Sequence, residues 1–286
     1  MFIPRGGSKP YPPLAVISVD QWAGRLLARQ VAEWRQVVTY GLRTPADFTA
    51  TTCPLPSGSL LIVRHGEQVW PFVLPLRGEH NAQNALAAVV STLSVGIEPE
   101  AIAKGLASVR SIPGRMEGID CGQPFAVVVD FAHNPSGLLE ALRAARAQKP
   151  ERLILVFGCK GADGDTVKRH LMGRIASQGA DMVWLTTDDP YEEDPERIAA
   201  EVARGFQGTV RFRTVLDREQ AIAEAIWIAE PGDLVLVAGR GHEARQPTSQ
   251  GHRPFDDREV CRIAIQQWLM RSTTRLAIPS PSASGG

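Results

Sequence analysis

Short apolar runs alternate with helical patterns through the second half of the chain. The run at 126–129 contains three β-branched residues and ends at Asp130, which is typical of a buried strand, and Pro135 then opens a helix. Five such strand–helix units predict an α/β domain that is doubly wound, with a mostly parallel sheet and helices on both faces. The predicted strands lie near 126–130, 152–157, 182–187, 209–213 and 233–238, and the predicted helices near 135–147, 166–178, 194–205, 217–229 and 257–270.

The first part of the chain mixes a β-α-β pattern with a hairpin pattern. The strands of the β-α-β segment should be parallel, whereas two apolar runs split by His65-Gly-Glu predict an antiparallel pair. Two helices follow, and Pro99 stands at the start of the second. The predicted strands are 14–19, 37–40, 59–63 and 69–73, and the predicted helices are 21–34, 80–93 and 100–109.

A break in the pattern at 111–117 is the predicted domain boundary. The length of 286 residues leaves room for about two domains. We therefore expect one domain over 1–110 and a second over 111–272. The tail at 273–286 is poor in bulky apolar residues and is expected to be disordered.

Composition and charge narrow the classes of function. Lys plus Arg and Asp plus Glu each total 31, so no net field attracts nucleic acid or an acidic membrane surface. The four cysteines are far apart and have no metal-binding spacing, so no metal site is expected from them. Because no signal peptide and no apolar run near 18 residues occurs, we expect a cytoplasmic protein with free thiols.

Polar groups follow several of the predicted strands. Asp130 and His133 stand after the first strand of the second half, at the edge where open α/β sheets bind ligands. An acidic cluster with Asp188 and Asp189 follows the strand near 182–187. After the strand near 233–238, glycines allow close approach to the backbone, and His242 and Glu243 can hydrogen-bond a polar substrate.

Structural roles are open alternatives for these residues. Asp130 could cap a turn with His133 packed beneath it, and part of the acidity after Asp189 caps the next helix. Asn81 could simply cap a helix, and Asn84, three residues later, could face solvent. Arg115 could grip a phosphate in the forked manner of a guanidinium, or could lie solvated in a linker.

Taken together in this order, the motifs indicate a protein family more specifically than any single motif does. The series reads HNxxN at His80, PGRME at Pro113, VDFAHNP at Val129, VFGCKG at Val156, TTDDP at Thr186, AGRGHE at Ala238 and FDDRE at Phe255. This series resembles the Mur ligases, ATP-dependent amide-forming enzymes of peptidoglycan precursor synthesis, over about residues 14–270. Within that family, GHE followed by FDDRE resembles the branch that forms the UDP-N-acetylmuramoyl-tripeptide.

The resemblance implies a fold, two substrates and a set of site residues. It implies a partial central domain followed by the doubly wound C-terminal ligase domain. UDP-muramoyl-peptide and an amino acid are the implied small-molecule substrates, with ATP and Mg²⁺ as cofactors. The residues implied for the nucleotide are Asn84 at the adenine, and Arg115, Asp130 and His133 near the phosphates and ribose. The residues implied for the amino acid are Asp188, Asp189, Tyr191, Gly239, His242 and Glu243.

Two loops depart from the family pattern. Members that add diaminopimelate resemble DNPR at the acidic motif, and Tyr191 stands here in place of the Arg. Tyr191 cannot form the forked pair with a second carboxylate, which argues against diaminopimelate. The loop after Cys159 reads Lys160-Gly-Ala-Asp where the family often shows GGDRD. Lysine or another amino acid is expected to fit a site with more acid and less Arg.

The phosphate loop of the family is missing from these 286 residues. No GxxGKT sequence occurs, so most phosphate and metal ligands are absent and no catalytic residue is assigned. We expect a truncated ligase that is inactive alone and is completed by a partner chain or an upstream segment. Two alternatives are a non-catalytic nucleotide- and amino-acid-binding remnant or regulatory subunit, and a ligase of the cyanophycin or folylpolyglutamate synthetase type.

Overall fold

The computed structural model describes residues 14–277, apart from 56, 77 and 162–164, with side chains described as far as Arg271. The chain divides into two compact units, Met1–Ser111 and Ile112–Gly286. The units are called unit 1 and unit 2 below. None of the helices in the described residues combines the length and the apolar character needed to cross a membrane.

Unit 1 contains one mixed sheet with helices. Strands β1, β2 and β3 pair in parallel, and β3, β4 and β5 form an antiparallel meander, in the spatial order β1-β2-β3-β4-β5. Leu61 and Phe72 of the sheet pack with Leu86 and Val89 in the core. The elements are β1 Leu14–Ser18, α1 Trp22–Ala32, β2 Gln36–Gly41, β3 Phe48–Leu55, β4 Gly58–His65, β5 Gln68–Leu74, α2 Glu79–Leu93 and α3 Pro99–Ser108.

Strand β3 was not predicted from the sequence. Only Phe48 and Ala50 among its residues are buried, and Pro54 near its end is a residue that strands disfavour. A half-polar, Thr-rich strand of this kind gives a weak apolar signal, and its pairing with β4 stabilises it instead. Asn81 does not cap α2, because Gly78 holds the N-cap position and Asn81 is buried in the first turns.

Unit 2 is a doubly wound α/β domain. Its six strands lie in the order β10-β9-β8-β11-β7-β6, with only β6 antiparallel to its neighbour. All residues of β8 and β11 are buried, as expected for central strands covered on both faces. The elements are β6 Glu117–Gly118, β7 Ala126–Asp130, α4 Pro135–Arg146, β8 Leu153–Phe157, α5 Thr166–Gly179, β9 Met182–Leu185, α6 Pro195–Ala203, β10 Arg211–Thr214, α7 Arg218–Trp227, β11 Leu234–Ala238, β12 Arg245–Thr248, β13 Gly251–Pro254 and α8 Asp257–Ala277.

Helices cover both faces of this sheet. One core cluster joins the sheet to α4, α5 and α6, and a second joins the opposite face to α7 and α8. Side-chain caps fix where several of these helices begin. For example, Asn134 accepts a 2.8 Å hydrogen bond from the backbone N–H of Gly137, with Pro135 in the first turn. The predicted α/β fold class, with its mostly parallel sheet, is confirmed.

The end of the chain differs from the expectation. The antiparallel pair β12–β13 was not predicted, because its residues are mostly polar and include Pro247 and Pro254, and because it forms a two-stranded sheet of its own. Helix α8 continues to Ala277, so 273–277 are helical where a disordered tail was expected. The rest of the predicted tail, 278–286, lies outside the described residues.

Parallel pairing brings the ends of β7, β8, β9, β10 and β11 to one edge of the sheet in unit 2. Ala238 at the end of β11 lies opposite Asp130 at the end of β7. On the other side, β11 pairs with β8, and Phe157 at the end of β8 lies opposite Leu185 at the end of β9. The loops that follow β7, β8, β9 and β11 therefore emerge side by side.

Candidate functional site

Four basic side chains surround the ring of Phe131, directly after β7. The Arg115 guanidinium lies 4.7 Å from the ring centroid and the Lys160 ammonium 5.6 Å from it. The imidazole rings of His133 and His242 lie 4.7 and 5.3 Å away. These groups come from separate loops, and an aromatic face attracts cations through its quadrupole. The ring of Phe131 thus organises a basic cluster at the strand ends.

Asp130 holds the loop that carries Arg115. Its Oδ2 accepts a 2.8 Å hydrogen bond from the N–H of Met116, and its Oδ1 accepts a 2.9 Å bond from the N–H of Ala132. The side chain is buried at 8% exposure. The turn-capping role weighed for Asp130 is therefore present, and each carboxylate oxygen keeps a second lone pair.

His133 is oriented by the backbone beside it. Its Nδ1 lies 2.9 Å from the carbonyl oxygen of Phe131, and a carbonyl can only accept, so Nδ1 carries the proton. The half-buried ring leaves Nε2 for a ligand.

Gly114 brings the Arg115 loop against the loop after β11. Its φ of 65° is left-handed, and a Cβ at this position would collide with the backbone of Gly241 and His242. The N–H of Gly114 donates a 2.7 Å hydrogen bond to Oε2 of Glu117. Glycine is required here because the two loops touch through their backbones.

Lys160 and Arg240 neutralise two of the predicted site carboxylates. The Lys160 ammonium lies 2.8 Å from Oδ2 of Asp189 and 3.2 Å from Oε1 of Glu243. Arg240, which is fully buried, forms an ion pair with Asp189. We expected a site with more acid than base because the sequence did not show that these two cations lie beside the carboxylates.

Asp188 lies beneath this cluster and is fully buried. Among the described residues, neither of its carboxylate oxygens has a hydrogen-bond donor. Burial raises the pKa of its carboxyl to about 6, although nearby cations oppose the shift. The opposing cations are Arg218, Lys160 and Arg240. Gly239, at a φ of 123°, lies so close that a Cβ there would collide with Oδ2 of Asp188.

A buried ion pair supports the floor of the site. Arg218 Nε donates to Oδ1 of Asp257 at 2.7 Å, and both side chains are fully buried. The same guanidinium donates to the carbonyl oxygen of Ala238 at 3.0 Å, at the end of β11. The pair thus ties the starts of α7 and α8 to the strand edge.

Tyr191 leads the acidic loop away from the strand ends. It is 38% exposed, has a left-handed φ of 52°, and forms a backbone bridge with Thr248 of β12. The loop is thereby attached to the β12–β13 pair, which the sequence did not predict.

The predicted residues divide between the two units. Asn84 is exposed on α2 of unit 1, whereas the other predicted residues all lie in unit 2. Sequence reasoning gave no role to Phe131, Lys160 or Arg240. All three lie inside the motifs given above, and that position is the sequence signal by which they could have been found.

The described residues do not assemble a metal-binding group. No three His, Cys, Asp or Glu side chains in that part of the chain are placed to hold a metal ion. Arg115, by contrast, is exposed over Phe131, and no carboxylate among the described residues forms an ion pair with it. A solvent-facing guanidinium beside two imidazoles suits a phosphate or carboxylate ligand.

Comparisons with known proteins agree on one family. The family model described as "Mur ligase, glutamate ligase domain" matches residues 114–241. A UDP-N-acetylmuramoyl-L-alanyl-D-glutamate–2,6-diaminopimelate ligase from Syntrophomonas wolfei is 40% identical over 250 residues, covering 86% of this chain and 50% of that protein. The chain spans about half the length of the curated relatives it matches.

Solved structures show the same relationship. A structure of a UDP-N-acetylmuramoyl-L-alanyl-D-glutamate–2,6-diaminopimelate ligase matches with a TM-score of 0.55 and 31% identity, over 89% of this chain and 53% of that one. A folylpolyglutamate synthase from Mycobacterium tuberculosis, solved with ADP, matches with a TM-score of 0.63 and 25% identity, over 80% of this chain and 53% of its own.

Proposed function

Because this chain belongs to the Mur ligase family, we propose that it contributes the C-terminal part of an ATP-dependent amide-forming ligase of peptidoglycan precursor synthesis. The proposed reaction adds the third amino acid to UDP-N-acetylmuramoyl-dipeptide. The names of its relatives support this, since they specify ligation of an amino acid to UDP-N-acetylmuramoyl-L-alanyl-D-glutamate. The diaminopimelate in those names belongs to the relatives, and Tyr191 argues against it here.

One observation carries the proposal. The basic cluster around Phe131 adjoins the carboxylates of Asp189 and Glu243 through Lys160, which contacts both sides. A ligase of this kind needs donors for an anionic phosphate next to acceptors for an amine. The two requirements meet at one edge of the sheet in unit 2.

Residue roles follow from this division. We assign Arg115, Asp130 and His133 to the nucleotide phosphates and ribose, with Asn84 of unit 1 assigned to the adenine. The residues assigned to the amino acid are Asp188, Asp189, Tyr191, Gly239, His242 and Glu243. Of these, Glu243 is the carboxylate most open to a ligand ammonium, at 28% side-chain exposure. Asp188 acts from beneath, because its side chain is fully buried.

The chemistry proceeds by an acyl phosphate. The γ-phosphoryl group of ATP passes to a carboxylate oxygen of the peptide and ADP leaves. The deprotonated amine of the amino acid then attacks the acyl carbon, and inorganic phosphate leaves as the amide forms. Arg115 donates to phosphate oxygens, and Glu243 orients the amine. Because the proton of His133 is on Nδ1, its Nε2 accepts a hydrogen bond, for which a ribose hydroxyl is the donor. We place no Mg²⁺ ligand among the described residues.

The partner and the compartment follow from the same proposal. A partner chain or an upstream segment supplies the phosphate loop, since no GxxGKT occurs in the 286 residues. The cytoplasm is the proposed location, and the four free cysteines fit a reducing compartment.

Binding of an ATP analogue tests the nucleotide assignment. We expect Arg115→Ala to weaken binding at least about tenfold, because a charged hydrogen bond to phosphate is lost. The control is Arg110→Ala, an exposed arginine in the segment before the motif. Asp130→Ala is a poorer test, since it also releases the N–H of Met116. Equal affinity of wild type and Arg115→Ala, with unchanged melting, would remove the nucleotide role.

Turnover tests the incompleteness of the chain. Purified protein with ATP, UDP-muramoyl-dipeptide and a panel of amino acids should release almost no phosphate. Full turnover by this chain alone would show that the proposal of a missing phosphate loop is wrong. The second candidate, a binding protein without catalysis, is favoured by the same missing motif. An in-frame GxxGKT upstream of Met1 in the genome would support the ligase over that candidate.

A further inference from the structure

The turn that carries Arg115 has an unusual backbone conformation. The N–H of Arg115 donates a 3.0 Å hydrogen bond to the carbonyl oxygen of Ile112, which closes the turn. Gly114 and Met116, on either side of Arg115, both lie in the left-handed region, at φ values of 65° and 47°. Methionine rarely adopts such a φ, so contacts with other groups must impose this conformation.

Two carboxylates hold the turn by its backbone N–H groups. Asp130 accepts from the N–H of Met116, and Oε2 of Glu117 accepts from the N–H of Gly114 at 2.7 Å. Gly114 is buried against the loop after β11. Removal of the Glu117 side chain would leave that buried donor unpaired, which costs free energy unless the turn changes its shape.

The FDDRE motif, around the start of α8, reaches Glu117 from the other side. Nη1 of Arg258 lies 3.8 Å from Oε2 of Glu117, and Arg262, one helical turn later, lies 4.0 Å from Oε1. Arg258 is itself fixed by Asp256, whose carboxylate accepts from Nε at 2.9 Å and from Nη2 at 2.6 Å. A forked pair of this kind sets the position of the guanidinium. The side chains of Glu117, Asp256 and Arg258 are each at most 20% exposed, so the contact is sheltered from solvent.

We infer that Glu117 is a positioning residue, held by Arg258 of the FDDRE motif, that fixes the turn presenting Arg115 over the ring of Phe131. This inference rests on the proposed function, because it concerns the arginine assigned to the nucleotide phosphates. Glu117 does not touch the ligand and acts only through Arg115. The FDDRE motif thereby gains a role at the site, through Arg258.

A fixed turn raises the affinity for phosphate because less freedom is lost on binding. The Arg115 side chain is exposed, and its guanidinium lies 4.7 Å from the ring centroid of Phe131. Loss of Glu117 keeps the charge of Arg115 and frees the backbone beneath it. The affinity should therefore fall, although by less than on loss of Arg115 itself. A purely electrostatic role predicts the opposite sign, since removal of a carboxylate favours a nearby anion.

Isothermal titration with AMPPNP, a non-hydrolysable ATP analogue, tests the inference. We expect Glu117→Ala to weaken binding about fivefold. Glu117→Gln should stay within about twofold of wild type, because glutamine keeps an oxygen acceptor for the N–H of Gly114. In a chain that already carries Arg115→Ala, Glu117→Ala should change the affinity less than about twofold, since its only route of action is gone. A merely structural role would weaken binding by the same factor in both backgrounds.

Arg258→Ala gives a second cycle that leaves Glu117 in place. It should weaken binding about threefold in the wild-type background and have almost no effect beside Arg115→Ala. Glu140→Ala is the matched control, because Glu140 also pairs with an arginine but is 64% exposed on α4. This control should bind the analogue as tightly as wild type.

The outcomes separate the inference from the proposed function. If Arg115→Ala weakens binding and Glu117→Ala does not, the inference is wrong and the nucleotide assignment stands. Equal losses in both backgrounds, or equal losses for Glu117→Gln and Glu117→Ala, also overturn it. If Arg115→Ala leaves the affinity unchanged, or if wild type does not bind AMPPNP, the proposed nucleotide site falls and the inference falls with it.

Discussion

At the scale of single residues, the most unusual group is the carboxyl of Asp188. It is fully buried with no hydrogen-bond donor among the described residues, and three cations compensate only part of its burial. A carboxyl in that position is more easily protonated in the folded chain than in the unfolded chain. Its ionisation therefore costs stability.

The pH dependence of stability tests this carboxyl. The folded pKa is raised from 3.8 to about 6, so its favourable contribution is fully present below pH 3.8 and is lost as pH rises through about 6. About two pKa units correspond to roughly 3 kcal/mol in the free energy of unfolding. The free energy of unfolding of the wild type should therefore fall relative to that of Asp188→Asn as the pH rises from 4 to 7.

Chemical denaturation at each pH measures this difference, and Asp194→Asn is the control. Asp194 caps helix α6 from an exposed position, whereas Asp188 is fully buried. A constant difference between wild type and Asp188→Asn across that range would show that Asp188 titrates normally.

Residues alone indicated part of the site. The strand-end positions of Asp130 and Glu243 could be predicted, because polar groups that follow apolar runs are easily recognised in a sequence. The pairing of Lys160 with Glu243 was not, since 83 residues separate them and only the tertiary fold brings them together. The capping of the Met116 N–H by Asp130 was hidden for the same reason.

At the scale of elements, the ion pair of Arg218 and Asp257 joins α7 to α8 and the strand edge. Both side chains are fully buried, and the guanidinium also bonds the carbonyl oxygens of Ala238 and Thr187. Removing one partner of such a pair leaves an uncompensated charge in the interior. The start of α8 depends on this contact.

Replacement of Arg218 measures the contact. We expect Arg218→Ala to lower the free energy of unfolding by about 3–5 kcal/mol. Arg213→Ala is the control, because Arg213 is 63% exposed in its pair with Glu224 and should cost less than about 1 kcal/mol. Equal losses for the two variants in urea denaturation would contradict the account. The double variant Arg218→Leu, Asp257→Leu should recover part of the loss.

Elements were predictable where apolar residues were continuous. Strands β8 and β11 are buried at every position, and their apolar runs marked them clearly. Strands β3 and β12 were missed, because exposed or polar side chains carry no such run and their pairing partners define them. The end of α8 was missed because the tail composition suggested disorder before Ala277.

At the scale of the whole molecule, helix α1 presents apolar side chains to solvent. Trp22 and Leu27 of the helix are 70% and 50% exposed, and Trp34 in the turn after it is 63% exposed, whereas Ala28 is the buried residue of the helix. The neighbouring strand β1 pairs only with β2 in the described part of the sheet. Exposed apolar surface next to a strand edge lowers solubility.

Charged substitutions test this surface. We expect Trp22→Glu and Trp34→Glu together to raise the concentration at which the protein stays monodisperse in light scattering, with little change in melting temperature. Val167→Glu is the control, because Val167 is 76% exposed on α5, a different element, and its substitution should change neither property. A wild-type sample that is already monodisperse at high concentration would contradict the prediction.

The backbone contact at Gly114 has a further consequence. The loop that presents Arg115 and the loop that presents Glu243 meet there without an intervening side chain, so neither can shift alone. A ligand that repositions one loop changes the energy of occupying the other. Nucleotide and amino acid should therefore bind with a reciprocal coupling free energy, each altering the affinity for its companion by the same factor.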